Sequence, residues 1–184
     1  LLCVLSKILE KVAYLQITDF VDANNILPES QSGFRKSHST TTTLLNLTDD
    51  ICRAIDKKMC VALVSLDYSK AFDKINHKLL LSKLKYYGFD VPSLDFFKSY
   101  LFERTQYVSI ENKFSEKTTI TSGVPQGSIL GPLLFLIYVA DMNNCVKNSF
   151  LYSYADDTQL LYFFDHKQVQ IANSEINADV EALH

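Results

Sequence analysis

Residues 60–67 read Cys-Val-Ala-Leu-Val-Ser-Leu-Asp, and residues 150–163 read Phe-Leu-Tyr-Ser-Tyr-Ala-Asp-Asp-Thr-Gln-Leu-Leu-Tyr-Phe. The first stretch predicts a short, mostly apolar strand over 61–66 that ends at Asp67. The second predicts two strands, 150–154 and 158–163, joined by a tight turn that contains Asp156 and Asp157. Two distant parts of the chain therefore place carboxylates at the ends of predicted strands.

Helical patterns and one further hairpin surround these strands. Apolar spacing predicts a helix over 1–17 and another from Leu44 to Ile55. The other predicted elements are helices over 70–87 and 92–104, a hairpin of 106–110 with 114–120, an apolar helix that has Pro132 in its first turn, and a helical tail from about 168. Because helices and strands mix without strict alternation, the sequence predicts an α+β fold.

The composition is that of one globular domain. The chain has 184 residues, 47% of them hydrophobic, and a net charge of −3, which excludes extensive disorder. The longest apolar run, residues 129–140, is too short to cross a bilayer, so no membrane partner is expected. The four cysteines form no C-x-x-C pair, and we expect them to be reduced and mostly in the core. The chain starts at Leu without a signal-peptide pattern, which is typical of a fragment of a longer protein.

The charges are unevenly distributed along the chain. Residues 68–85 contain five Lys and one Asp, whereas acidic residues predominate from residue 118 onward. A polyanion would therefore contact the middle of the chain, and a cation would bind nearer its end. Lys70, Lys74 and Lys78 could follow a nucleic-acid backbone if the predicted helix forms, although a solvated helix face explains the same spacing.

The carboxylates at the strand ends have a catalytic and a structural interpretation. If Asp67 and Asp156 meet, they repel each other unless a cation neutralises them. Hard oxygen ligands suit Mg²⁺, and two such ions about 3.5–4 Å apart can support phosphoryl transfer. In the structural interpretation, Asp67 caps a helix and Asp156-Asp157 is ordinary turn chemistry.

Four motifs in a fixed order favour the catalytic interpretation. They are Gln31-Ser-Gly-Phe-Arg-Lys-Ser-His-Ser-Thr40, Leu66-Asp-Tyr-Ser-Lys-Ala-Phe-Asp73, Ser122-Gly-Val-Pro-Gln-Gly-Ser-Ile-Leu-Gly-Pro132 and Tyr154-Ala-Asp-Asp157. With them, the chain resembles the reverse transcriptase domain of non-LTR retrotransposons, most closely the jockey-type elements, over its whole length. The resemblance implies an RNA-directed DNA polymerase that uses an RNA template, a DNA primer and deoxynucleoside triphosphates.

The resemblance also implies a division of the chain. It predicts a fingers–palm polymerase fold in which the palm is a ferredoxin-like sheet with helices on one face. The fingers would comprise roughly residues 1–58 and 89–121, and the palm roughly 59–88 and 122–184. The chain would end before the thumb.

Residue roles follow from the motif positions. Asp67 and Asp156 match the metal-binding carboxylates of the family, and Asp157 matches the second, less direct Asp of the catalytic hairpin. The backbone carbonyl of Tyr68 would complete the metal shell. The implied cofactor is a pair of Mg²⁺ ions, with Mn²⁺ as a substitute.

Four other residues are expected to contact the nucleotide. Phe72 matches the aromatic gate under the sugar, although packing on a helix face would also explain it. Gln126 and Gly127 match the loop beside the incoming nucleotide, for which a plain strand-to-helix connection is the alternative. Arg35 resembles an arginine that binds the triphosphate, since guanidinium binds phosphate bidentately, and a solvated loop arginine is its alternative.

Two other functions remain open from the sequence. One is an inactive or repurposed retroelement fragment that binds RNA without catalysis. The other is a metal-dependent phosphohydrolase that uses the same acids, a class that commonly adds His or Glu ligands. No such ligands cluster near these acids in the sequence.

Overall fold

A computed structural model describes residues 3–183, which fall into two compact units. The first unit comprises the chain up to Phe20 together with Lys70–Tyr138. The second comprises Val21–Ser69 and the chain from Val139 onward. Mixed helices and strands confirm the predicted α+β class.

The second unit is built on a three-stranded antiparallel sheet in the order β1-β7-β6. Its strands are β1 (Cys60–Leu66), β6 (Phe150–Tyr154) and β7 (Asp157–Phe164), close to the predicted ranges. Leu151 and Leu160 are paired across β6 and β7 and buried. The alternation of side chains along each strand gives the sheet two distinct faces.

Helix α2 (Thr40–Asp56) contacts both outer strands of this sheet. It begins within the run of threonines because Ser39 forms a capping box with Thr42: the Ser39 hydroxyl accepts from the Thr42 N–H, and the Thr42 hydroxyl accepts from the Ser39 N–H. This cap offsets the weak helix propensity of threonine. The remaining helices of the unit are the short α6 (Met142–Cys145), a 3₁₀ turn (His166–Gln168) and α7 (Val169–Leu183).

The first unit packs helices around an apolar core. Helix α5 (Leu130–Val139) is buried on nearly all sides, as its uniformly apolar sequence requires. Helices α3 (His77–Tyr86) and α4 (Val91–Leu101) bury Leu80, Leu84, Phe97 and Leu101 almost completely. Helix α1 (Val4–Ala23) belongs to this unit up to Phe20.

Two short antiparallel ribbons form the predicted hairpin of the first unit. Strand β2 (Thr105–Gln106) pairs with β5 (Thr118–Thr119), and β3 (Ser109–Ile110) pairs with β4 (Lys113–Phe114). All eight of these strand residues are exposed. Glu111 and Asn112 form the turn, and both have positive φ.

Glu10 of α1 is a buried carboxylate, only 4% exposed. Its Oε2 accepts hydrogen bonds from the backbone N–H groups of Ile129 and Leu130, at the start of α5, at 2.6 and 3.4 Å. Its Oε1 accepts from the Tyr100 hydroxyl at 3.0 Å. A negative charge at a helix N-terminus is favourable, and these bonds replace the water that Glu10 loses on burial.

The helix predicted over 70–87 begins seven residues later than expected. Residues 69–74 form turns, Lys70 has a positive φ of 58°, and α3 begins only after the Asn76 side chain caps the Leu79 N–H. The carbonyls of Phe72 and Ile75 accept hydrogen bonds from Val124 and Gly123 and are therefore unavailable to a helix. The sequence-based predictions of a helical face containing Phe72, and of a helical stripe of Lys70, Lys74 and Lys78, were therefore wrong.

The prediction that the cysteines are mostly core residues was also wrong. All four are free, but Cys3, Cys52 and Cys145 are exposed and Cys60 is half-buried. Among the helices of residues 3–183, none has the length and apolar character needed to span a membrane.

Candidate active site

The sheet of the second unit brings two of the predicted carboxylates together. The register pairs Leu66 with Thr158, so the next residues along the two strands, Asp67 and Asp157, are neighbours at one end of the sheet. Residues paired across antiparallel strands project on the same face. The sequence led us to expect Asp67 to meet Asp156, whereas the strand register sets Asp157 opposite Asp67. The catalytic roles of all three acids stay predictions.

A cavity of about 420 Å³ lies at this end of the sheet. The sheet contributes both acids, Tyr152, Tyr154 and Gln159 to its wall. The first turn of α2 contributes Thr40, Thr43 and Leu44. The cavity is thus lined by acidic residues, by tyrosine and glutamine of the sheet, and by threonine and leucine of α2.

The acidic turn, residues 154–157, positions Asp156 differently from Asp157. Ala155 has φ of +57°, and it forms with Asp156 the two-residue link between the β6 and β7 ends. Asp156 is half-buried in the turn and is not among the residues that line the cavity. Asp157 is exposed and opens β7 on the cavity face.

The donor chemistry of this end of the sheet fits a hard divalent cation. Within the described chain, no basic side chain forms an ion pair with Asp67 or Asp157. Adjacent carboxylates attract a cation. Across residues 3–183, however, no three His, Cys, Asp or Glu side chains are grouped closely enough to hold a metal ion. Protein carboxylates thus supply only part of a coordination shell here.

Tyr68 follows Asp67 directly, and its side chain is half-buried. Its hydroxyl has no hydrogen-bond partner among the described residues. Burial raises the pKa of the Tyr68 phenol, so the side chain stays neutral near pH 7. The predicted contribution of Tyr68 is its backbone carbonyl, which does not depend on the phenol.

Three predicted nucleotide-contacting residues lie in the first unit. Phe72 is half-buried, and its ring stacks on Phe135 with centroids 4.5 Å apart. Gln126 is exposed and donates from Nε2 to Asp73 Oδ1 at 3.3 Å. Gly127 has φ of +72°, and a Cβ added there would meet nothing within 4 Å. The backbone of Gly127 is thus open to approach from outside.

Phe72 and the Pro-Gln-Gly loop, residues 122–128, belong to one local structure. The Phe72 carbonyl accepts from the Val124 N–H at 3.1 Å. His77, for which the sequence suggested only a structural role, places Nε2 2.7 Å from the Gly123 carbonyl. The buried His77 therefore supports the base of this loop.

Arg35 is engaged within its own loop of the second unit. Its Nη1 donates to the carbonyls of Pro28, at 2.7 Å, and Gln31, at 3.0 Å. The side chain is half-buried, so Arg35 is not a fully solvated loop arginine. Its guanidinium is also partly engaged by the protein. Its triphosphate role stays a prediction.

Sequence reasoning did not single out Gln31. This side chain is only 3% exposed and contacts the backbone of the acidic turn. The available signal was its place at the head of the first motif. That signal had no physical interpretation without the turn, which lies 124 residues further along the chain.

Comparison with known proteins identifies the family. The family model described as reverse transcriptase (RNA-dependent DNA polymerase) matches residues 1–182. The chain belongs to the reverse transcriptase family. The resemblance to non-LTR retrotransposon domains, based on four motifs, is confirmed.

Relatives of this reverse transcriptase domain include proteins of Drosophila melanogaster. It is 38% identical over 169 residues to a probable RNA-directed DNA polymerase from transposon BS, covering 88% of this chain. It is 33% identical over 165 residues to the RNA-directed DNA polymerase from mobile element jockey, covering 85% of this chain. The chain spans about 18% of the length of each of these relatives.

A solved telomerase structure has a similar fold. Telomerase from Candida albicans, in complex with a fragment of telomeric RNA, superposes with a TM-score of 0.64 at 11% identity. The match covers 94% of the reverse transcriptase domain and 32% of the telomerase chain. At this identity the similarity concerns the fold alone, and it agrees with the α+β class.

Proposed function

We propose that this domain is the polymerising part of an RNA-directed DNA polymerase, adding deoxynucleotides to a primer 3′-hydroxyl along an RNA template. Family membership supports the reaction class. The single observation that carries the proposal for this chain is the strand register that makes Asp67 and Asp157 neighbours on a cavity. Two adjacent carboxylates at a rigid sheet end are suited to metal-assisted phosphoryl transfer.

The same proposal assigns the metal ligands. Asp67, Asp156 and Asp157, with the Tyr68 carbonyl, would hold a pair of Mg²⁺ ions, for which Mn²⁺ could substitute, and the family generally uses divalent metals. When bound, such ions neutralise phosphate charge and favour ionisation of an attacking hydroxyl. The protein itself keeps these carboxylates at one end of the sheet, where Asp67 and Asp157 are exposed and Asp156 is half-buried.

The nucleotide-contacting roles are proposed residue by residue. Phe72 presents an aromatic ring, backed by Phe135, that would exclude a 2′-hydroxyl from the nucleotide sugar. Gln126 and the open backbone of Gly127 would contact the nucleotide. Arg35 would bind the triphosphate through guanidinium nitrogens other than its Nη1, which donates to two carbonyls.

The fingers–palm division is also part of the proposal. The antiparallel sheet β1-β7-β6 is the expected centre of a palm. The proposed fingers, 1–58 and 89–121, and the proposed palm, 59–88 and 122–184, divide the chain at different positions from the two compact units. RNA template, DNA primer and deoxynucleoside triphosphates are the proposed partners.

Primer extension on an RNA template, with Mg²⁺, tests the function. We expect the wild-type protein to extend the primer and Asp67→Asn to lose about a thousandfold or more in rate, because the amide removes a charge that offsets cation and phosphate charge. The matched control is Asp56→Asn, which changes an exposed carboxylate of the same unit at the end of α2. Full extension by Asp67→Asn would contradict the proposal.

An RNA-binding relic without catalysis is the second candidate. The described residues group no three metal-ligating side chains, an arrangement that a fragment without catalysis would also show. The same reaction mixtures distinguish the two functions when RNA retention is measured beside extension. If the protein retains RNA but extends no primer in Mg²⁺ or in Mn²⁺, the second candidate function would be supported in place of the polymerase.

A further inference from the structure

Residues 30–33 form an extra strand-like segment beside β6. Gln31 forms a parallel bridge with Ser153. The Ser32 N–H donates to the Ser153 carbonyl, and the Ser153 N–H donates to the Ser30 carbonyl, each at 2.8 Å. This short ladder brings the first motif of the chain to the strand that leads into the acidic turn.

The Gln31 side chain then reaches the turn itself. Its Oε1 accepts from the Ala155 N–H at 2.9 Å and from the Gly33 N–H at 2.8 Å. Its Nε2 donates to the Ala155 carbonyl at 3.1 Å. One amide therefore pairs both backbone polar groups of Ala155, and it does so in a buried position where water cannot take its place.

Ala155 is the residue of the turn that most needs such support. Its φ of +57° lies in the left-handed region, which residues with a Cβ seldom occupy. The conformation of Ala155 sets the direction in which the chain enters Asp156 and Asp157. A side chain that pairs both polar groups of Ala155 therefore holds the turn from which Asp156 and Asp157 follow.

Gly33 permits the close approach of this segment. A Cβ built on Gly33 would lie 2.2 Å from the Ala155 nitrogen and 2.7 Å from its Cα. These are backbone atoms that cannot rotate away. Alanine at this position would displace either the 30–33 segment or the turn.

We propose that Gln31 and Gly33 are positioning residues that fix the acidic turn in its active geometry. They act through Ala155 and contact no substrate. The inference rests on the proposed function for its effect on the reaction, whereas its effect on the turn is independent of any activity.

Two substitutions separate the parts of the Gln31 contact. Gln31→Met keeps the side-chain length but removes the donor and the acceptor. Gln31→Glu, the second variant if Gln31→Met fails to fold, keeps an acceptor oxygen but replaces the donor to the Ala155 carbonyl with a carboxylate oxygen. The matched control is Asp179→Asn, because Asp179 is 2% exposed in the same unit and pairs the backbone of residues 147–149.

The first measurement is hydrogen exchange of the Ala155 amide, with thermal melting, in the longest natural polypeptide that contains this chain. We expect exchange at Ala155 to accelerate about tenfold or more in Gln31→Met, because the bond from its N–H is lost. Gln31→Glu should retain more of the protection than Gln31→Met, because an acceptor for the Ala155 N–H remains. Asp179→Asn should lower the melting temperature without selectively accelerating exchange of the Ala155 amide.

The second measurement is single-turnover primer extension at varied Mg²⁺ and nucleotide concentrations. We expect Gln31→Met and Gly33→Ala to lower the maximal rate by about tenfold or more and to raise the Mg²⁺ concentration for half-maximal rate. The nucleotide KM should stay within about twofold of wild type. Asp179→Asn should leave the Mg²⁺ dependence unchanged, since a general loss of stability does not alter how the acids bind a cation.

The outcomes distinguish this inference from the proposed function. Unchanged exchange at Ala155 in both Gln31 variants, or equal acceleration in Asp179→Asn, would overturn the inference whatever the activity. Faster exchange of the Ala155 amide in Gln31→Met, combined with an unaltered extension rate and an unaltered Mg²⁺ dependence, would overturn the inference as well. If the wild-type protein extends no primer, the proposed function is refuted. If Gln31→Met nevertheless shows selectively faster exchange at Ala155, the support of the turn by Gln31 still stands.

Discussion

The acidic turn and the Pro-Gln-Gly loop both carry predicted site residues, but the structure holds them in opposite ways. In the turn, Ala155 is buried, and the Gln31 side chain pairs its N–H and its carbonyl. In the loop, residues 122–124 are tied to the chain around Phe72, whereas Gly127 is open to solvent. The turn is fixed at its centre, whereas the loop is held at its base and by one exposed hydrogen bond from Gln126 to Asp73.

This difference matches what each region is proposed to bind. A small divalent cation demands ligands at well-defined positions, so the acids benefit from a turn that cannot relax. A nucleotide is larger and enters and leaves in each cycle, and an exposed loop backbone can form hydrogen bonds to it without displacing protein contacts. The comparison yields three predictions of decreasing size.

The largest effect is expected within the acidic turn. Asp156→Asn should reduce primer extension by about a thousandfold, and Asp157→Asn by about ten- to a hundredfold, because the family pattern makes Asp156 the direct ligand. Steady-state extension rates at saturating Mg²⁺ provide the measurement. Asp165→Asn, an exposed carboxylate just after β7, is the control.

A greater loss of activity in Asp157→Asn than in Asp156→Asn would agree with the position of each acid in the structure. Asp157 lines the cavity together with Asp67, whereas Asp156 does not. A larger loss in Asp157→Asn than in Asp156→Asn would make the cavity-facing acid the principal ligand. The sequence-based ranking of the two acids would then be wrong.

An intermediate effect is expected at Phe72, beside the base of the loop. Phe72→Val should lower the preference for deoxynucleotides over ribonucleotides by about ten- to a hundredfold, because the ring no longer fills the space under the sugar. The ratio of kcat/KM for the two nucleotides is the readout. Phe96→Val, which changes a partly exposed ring of α4 in the same unit, should leave that ratio unchanged.

An unchanged ratio in Phe72→Val would restrict Phe72 to packing. Its stacking on the buried Phe135 already anchors the ring against the core of the first unit. In that case the substitution should lower the melting temperature and the rates with both nucleotides alike.

The smallest effect is expected at the exposed tip of the loop. Gln126→Ala removes one solvent-exposed hydrogen bond to Asp73 and one potential nucleotide contact. We expect the nucleotide KM to rise by about two- to tenfold with little change in kcat, as loss of a single polar contact implies. Gln106→Ala, in the exposed strand β2, is the control. A large fall in kcat would show that this loop, like the turn, requires fixed geometry.

Elements with strong local patterns were predicted well from the sequence. The alternation around residues 150–163 predicted β6, β7 and their turn within one residue at each end. The uniformly apolar α5 was predicted by the run that contains Pro132. In these segments, local preference and tertiary packing favour the same structure.

Prediction failed where distant residues compete for the backbone. The carbonyls of Phe72 and Ile75 are engaged by Val124 and Gly123, about 50 residues away, and the helical periodicity over 70–76 carries no trace of this. Gln31 is a similar case, because its side chain contacts a turn 124 residues further along the chain.

Glu10 has a consequence for biosynthesis. Helix α1 is translated before α5, and the backbone groups that Glu10 pairs with lie 119 and 120 residues later. At about 5–20 residues per second, roughly 6 to 24 s separate the synthesis of the carboxylate from that of its partners. During this interval Glu10 stays hydrated on the nascent chain, and the first unit completes its core only after the start of α5 has left the ribosome.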